Sequence, residues 1–257
     1  MMMNPIYRSL RAEMLKYRRT YALSLAIFAP LFISLMMGVI YFVKAEKLVR
    51  AGSNGFTGML DGGLAASASM LFTFYLVMLT ILIHQVEFRA RSLKDLFSYP
   101  VSHLSTYISK WIVSFSLIAL SVILYILFSF LSVLVLEVRH PSLIWFDWTV
   151  FVHFIKQVSV VMTAGMLLLG IQFLVALRWS NAIVPLGVGV TGFISAMVLL
   201  QGWKHIDCHP YALGYLSYLS SMGKMHFAVP GILAYSLLGL VIMMTAGYFM
   251  WSKRRIV

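Results

Sequence analysis

The sequence predicts an all-α polytopic membrane protein, and three observations carry that prediction. Of 257 residues, 61% are apolar and only 11% are charged, less than half the roughly 25% charged share of an average soluble domain. The mean hydropathy is +0.90. Apolar runs that reach or nearly reach the length needed to cross about 30 Å of hydrocarbon as helix recur along the chain, and the period-2 alternation of an outer-membrane barrel is absent. These figures exclude a soluble enzyme, a disordered chain and a disulfide scaffold; Cys208 is the single cysteine. The net charge of +12, from 20 Lys+Arg against 8 Asp+Glu, is read as membrane orientation and attraction to anionic headgroups rather than nucleic-acid binding.

In chain order, residues 1–20 come first. When Pro5 to Arg19 is wound at about 100° per residue, Ile6, Tyr7, Leu10, Met14 and Tyr17 share one sector, and Arg8, Arg11, Arg18 and Arg19 face away from it. That pattern predicts a helix lying in the membrane interface before the chain turns inward. Six spans follow within a single domain, 1–257, at about 21–43, 64–86, 111–136, 157–177, 182–200 and 229–251. The first is too long for a signal-peptide core and has no small-residue cleavage site after it, so it is expected to stay as a signal anchor. Six spans put both termini on one side. The segments on that side hold 13 of the 20 basic residues, which predicts N-in, C-in threading.

The inner loop 84–110 carries a second amphipathic helix. Val86, Ala90, Leu93 and Phe97 make a narrow apolar stripe, while Glu87, Arg91 and Asp95 form a charge ladder at i, i+4 spacing. Phe88 falls opposite the stripe, Lys94 adds to the basic surface, and Pro100 ends the helix. A charged helix on the inner surface predicts a partner; the plainer reading is a solvated extension of the second span. The outer segment 201–228 carries Tyr211, Tyr215 and Tyr218 at helical spacing, which suits a short helix or a re-entrant hairpin at the outer interface. His205, Asp207, Cys208 and His209 are metal-ligating types, but their spacing matches no established pattern. The segment is therefore read as a polar loop, with no metal or other cofactor in this chain.

Other chemistry is missing. There is no P-loop, since Gly223-Lys224 is followed by Met225 and lacks the upstream glycine, and there is no G-x-S-x-G elbow or H-E-x-x-H helix. No Asp or Glu falls inside the six runs, and all seven histidines sit at span ends or in loops, which leaves no coupling carboxylates and no facing haem ligands. Within the runs the polar content is Ser, Thr, Gln and glycine, including Ser67, Ser69, Gly165, Gly170, Gly187, Gly189 and Gly192, the small residues that allow close helix packing. Such a domain is either passive or driven by another chain.

Two stretches carry a family resemblance. One is RAEMLKYRRT at residues 11–20, followed by a span containing Ala29-Pro30; the other runs from Glu87-Phe88-Arg89-Ala90-Arg91-Ser92-Leu93-Lys94 through Tyr99-Pro100-Val101-Ser102 to Lys110. With the six-span layout, they resemble the ABC-2 type transporter permeases, particularly the small branch with lantibiotic-immunity and bacitracin-resistance members. The resemblance implies that residues 1–20 are an elbow helix and that 87–97 is a coupling helix docking on a separate ATPase through Glu87, Phe88, Arg91, Lys94 and Asp95. It also implies that the outer hairpin, with its tyrosines, closes the outer end of the pathway. The expected assembly is two permease chains, identical or homologous, with two ABC ATPase chains that bind the ATP and Mg. It would sit in a prokaryotic cytoplasmic membrane and export an amphipathic or hydrophobic cargo such as an antimicrobial peptide. The chain would then be a transport subunit rather than an enzyme. The rivals are a cofactor- or metal-handling membrane subunit of a respiratory or maturation complex, and a passive channel or scaffold.

Overall fold

The computed structural model describes residues 10–11, 13–16, 20–49, 52–89 and 103–253, with the backbone alone at 87–89 and 103. Arg8, Arg18, Arg19, Arg91, Lys94 and Asp95 therefore lie outside the described residues, and Glu87 and Phe88 are described only as helical backbone. The described chain is helical: α1 (Tyr21–Leu48), α2 (Gly55–Ala66), a π-turn (Ser67–Leu71), α3 (Phe72–Arg89), α4 (His103–Arg139), α5 (Trp148–Ala164), α6 (Met166–Arg178), α7 (Ile183–Leu199), α8 (Leu213–Ser221) and α9 (Val229–Ser252).

Among the described residues, five helical stretches are long and apolar enough to cross a membrane: Tyr21–Leu48, Gly55–Val86, Leu104–Arg139, Trp148–Arg178 and Val229–Ser252. The remaining apolar helix, α7, has 17 residues and is ~25 Å long at about 1.5 Å per residue. Gly55–Val86 and Trp148–Arg178 form the buried centre, whereas α1, α4 and α9 turn most of their surface outward. The first of these outer helices packs along α4, and α9 packs along α6.

Three helices begin earlier than hydropathy predicts, and capping explains two of them. The Asn54 side chain accepts the Phe56 amide at 3.0 Å and opens α2. At α5, the Asp147 carboxylate accepts the Thr149 amide at 2.8 Å and its hydroxyl at 2.6 Å, and these bonds hold its pKa below the ordinary carboxylate value. Caps start helices in stretches whose mean hydropathy is too low to mark a span. Asp61 and His153 consequently lie within long helices, which corrects the expectation that the spans hold no carboxylate and that every histidine lies at a span end or in a loop. Lys110 likewise belongs to α4 rather than to a loop.

Three of the long helical stretches carry an irregularity partway along, and a serine hydroxyl lies at each. Pro30 has no N–H to offer the Ala26 carbonyl, and Ser121 of α4 donates to that carbonyl at 2.9 Å. In the π-turn, the Ser67 hydroxyl donates to the Gly63 carbonyl at 2.6 Å, which also accepts the Ser67 amide. The α5–α6 span breaks at Gly165, where Ser236 of α9 lies 3.0 and 2.9 Å from the Thr163 and Ala164 carbonyls and accepts the Leu167 amide at 3.0 Å. Phe72 sits directly over Gly165, leaving no room for a Cβ. Away from water each freed group would cost several kcal/mol, so such breaks persist only where neighbouring side chains satisfy them.

Candidate functional site

Three places in the bundle combine polar chemistry with a position that could serve transport. The first is a cavity of about 220 Å³ partway along the bundle, between α1, the π-turn, α3, α4 and α5. Pro30, Leu64, Phe72, Val158 and Val161 line it, with the hydroxyls of Ser67, Tyr75, Ser121 and Tyr125 set into the wall. Tyr75 Oη and Ser121 Oγ are 2.5 Å apart. Because Ser121 spends its hydrogen on the Ala26 carbonyl, Tyr75 is the donor of that pair. Ser67 Oγ lies 3.3 Å from Tyr125 Oη. Each wall hydroxyl thus has a partner within the protein.

The second place is the end of the bundle where α1 begins and α9 finishes. Leu10, Arg11 and Glu13–Lys16 are helical there, and Arg11 is exposed. Glu13 is 2% exposed and Lys110 of α4 is 0% exposed, and the two are 3.7 Å apart. Lys16 reaches the same carboxylate oxygen at 2.9 Å. The Lys110 ammonium also lies 5.7 Å from the centre of the Trp251 ring at the foot of α9. Both stretches that carry the family resemblance contribute to this joint, yet sequence reasoning did not pair them. The available signal was Glu13, the only acid before Glu46, set in a basic segment, and Lys110 at the head of an apolar run.

The third place is the opposite end. From Leu200 the chain turns back along α7, placing His209 Nε2 3.1 Å from Ser195 Oγ and the Tyr211 ring on Gly192, where a Cβ would fall 2.5 Å from ring carbon. The Tyr211 hydroxyl accepts from Gln172 Nε2 at 2.8 Å. From that depth α8 rises again, so the segment is a re-entrant hairpin packed against α5, α9 and the π-turn. Tyr218 is buried and donates to the Asp61 carbonyl at 3.3 Å, and its ring stacks on Tyr215, with centres 6.3 Å apart.

The metal-ligating types in this hairpin point to separate neighbours. His205 packs edge-on to Trp203, Cys208 is exposed, and His209 faces Ser195. Among the described residues no group of three or more His, Cys, Asp or Glu is placed to hold a metal ion. His153, another histidine, sits 2.9 Å from Gln157 Nε2 in α5.

No curated protein matches the chain. Residues 9–196 match the family described as ABC-2 family transporter protein, a stretch that takes in Glu13, Lys110, the cavity wall and most of α7 but stops short of the re-entrant hairpin. A bundle of long apolar helices and a family match over most of its length agree: the chain is a multi-pass membrane protein that belongs to the ABC-2 family of transporter proteins.

Proposed function

We propose that the chain is the permease subunit of an exporter in a prokaryotic cytoplasmic membrane, driven by a separate ABC ATPase and moving an amphipathic or hydrophobic cargo. The family match over residues 9–196 is the observation that carries this reading. α7 is read as a sixth, short span, which puts both termini on one side, and the basic bias of that side makes it the cytoplasm. Two permease chains, identical or homologous, work with two ATPase chains, which bind the ATP and Mg. The 84–110 segment docks on the ATPase through Glu87, Phe88, Arg91, Lys94 and Asp95. Residues 1–20, with Arg8, Arg11, Arg18 and Arg19, form the elbow helix. Closing of the ATPase dimer pushes the docking segment and switches access between two arrangements of the bundle. The Glu13–Lys110 ion pair supports this, since it joins the elbow to the helix that follows the docking segment. Tyr211, Tyr215 and Tyr218 lie on the hairpin that closes the outer end.

The decisive experiment is pull-down of an ABC ATPase from the source cell, with transport-dependent ATP hydrolysis, for wild type, Phe88→Ala and Arg91→Glu inserted at equal levels. A copurifying ATPase that is lost in Phe88→Ala, by roughly tenfold or more in affinity for an aromatic anchor, bears out both the subunit role and the docking segment. Wild-type association in both variants removes the docking segment, and no ATPase at all removes the exporter. Threading is read in a Cys208→Ser background: single cysteines at the exposed Ser53 and Ser142 should label from outside and one at Ser92 should not, and the reverse pattern overturns the orientation.

A further inference from the structure

We propose that the mid-bundle cavity takes one acyl chain laterally from the bilayer, so that the cargo is an amphiphile whose hydrocarbon tail lodges beside Pro30 and the π-turn. The step from a bound chain to cargo rests on the exporter reading; the binding of the chain does not. Four observations fix the chemistry. The cavity lies away from both ends of the long helices that line it, at the level of lipid tails. Its lining includes no charged residue, and its wall hydroxyls are bonded to one another or to backbone, which leaves no polar group seeking a ligand. At about 220 Å³ it exceeds the roughly 150 Å³ apolar cavities that stay dry and accept a benzene ring. It also has a mouth. Phe32 of α1 and Met78 of α3 line it and are exposed on the side of the bundle, while Leu64, Val158 and Val161 form a buried inner wall. The helix irregularities at its edge are of the kind found at functional sites. Here the carbonyl that Pro30 cannot bond, at Ala26, is taken by Ser121.

The test uses the full chain in nanodiscs containing phosphatidylcholine that carries a diazirine midway along one acyl chain. After irradiation, adducts are mapped by mass spectrometry. Adducts are expected at Leu64, Val158 or Val161, in addition to those on outward-facing Phe28. Ala29→Phe, which places a ring in the cavity, should lower the inner adducts at least fivefold and leave those on Phe28 unchanged. Leu35→Phe, in the separate groove between α1 and α4, should change neither. Met162→Phe, from the opposite wall, serves if Ala29→Phe does not insert. No inner adducts in wild type, or undiminished ones in the filled variants, overturn the site. The same preparations are assayed for a copurifying ATPase. Inner adducts without an ATPase sink the exporter reading and leave the acyl-chain site standing, whereas an ATPase without inner adducts sinks the site alone.

Discussion

Glu13 and Lys110 at one end of the bundle, and Tyr75, Ser121, Ser67 and Tyr125 partway along it, solve the same problem by different chemistry. Both sets are buried polar groups in an apolar protein. At the end, opposite charges meet at 3.7 Å and the acid also takes Lys16; partway along, every group is neutral and bonded to another hydroxyl or to backbone. A charge at the centre of a membrane helix costs about 2.5–3.5 kcal/mol on insertion scales, so ion pairs are affordable only near the ends. The two devices also bind different things together. The ion pair fastens an N-terminal helical turn to α4, while Ser121 supplies the bond that Pro30 cannot, between helices that are already packed.

The largest expected effect comes from dismantling the charged device. Lys110→Met leaves the buried Glu13 carboxylate with Lys16 alone, and breaking a buried pair from one side costs about 3–5 kcal/mol. Removing both charges, as Glu13→Leu with Lys110→Met, should recover most of that loss. Denaturant unfolding in mild detergent, run as a double-mutant cycle, reads both values. If the single and double variants are equally unstable, the pair does not act as a unit.

Next in size is overpacking of the hairpin. Gly192→Ala drives a methyl into the Tyr211 ring, at about 1–3 kcal/mol for a crowded core position. Since Tyr211 seats the descending arm of the hairpin on α7, the native Cys208 thiol, just before it in the chain and already exposed, should react faster with a maleimide as the hairpin loosens. An unchanged labelling rate and melting temperature would show that the ring swings aside freely.

The neutral device should respond more weakly and in a way that identifies its purpose. Ser121→Ala strips the Ala26 carbonyl and the Tyr75 hydroxyl of a partner; hydrogen bonds between membrane helices average roughly 0.6 kcal/mol and reach ~1.7. If Ser121 is there because Pro30 lacks an N–H, then Pro30→Ala, which restores a donor for Ala26, should make Ser121→Ala cheaper. Equal penalties in the two backgrounds, measured by the same unfolding assay, would separate the serine from the proline.

The contrast also explains what could be read from the sequence. Apolar runs announced every long helix, because hydrocarbon thickness fixes a length that hydropathy can see. Their starts were not visible: Asn54 and Asp147 begin helices by capping, an effect of one side chain that window averages dilute, and Asp61 was misplaced for that reason. The aromatic spacing in residues 201–228 did indicate a short helix or hairpin. Its depth could not be read, because it depends on Gln172 and Gly192, which are distant in sequence and look like packing residues alone. The cavity lining and the Glu13–Lys110 pair share that obstacle. Each needs residues from helices far apart in the chain, and one sequence carries no record of which faces meet.

The smallest expected effect tests whether the re-entrant hairpin, unlike the hydroxyl network, titrates. Partial burial lowers the pKa of His209 from its ordinary value of 6.5, and its Nε2 sits 3.1 Å from Ser195 Oγ. A base whose pKa is lowered on folding binds protons more readily in the unfolded chain, so its stabilising contribution is complete above 6.5 and is lost as pH falls below that value. The hairpin should therefore loosen modestly on acidification through that range. Amide hydrogen exchange over residues 201–212, normalised for the pH dependence of intrinsic exchange, reads local loosening at pH 7.5 and pH 5.5. His209→Gln keeps a side chain able to bond Ser195 and removes the titration, so its reading should not differ between the two pH values. The hydroxyls partway along the bundle have no group that titrates in this range, and Ser121→Ala should leave the acid response of the hairpin as it is in wild type. An acid response that survives in His209→Gln would assign the sensitivity to another group.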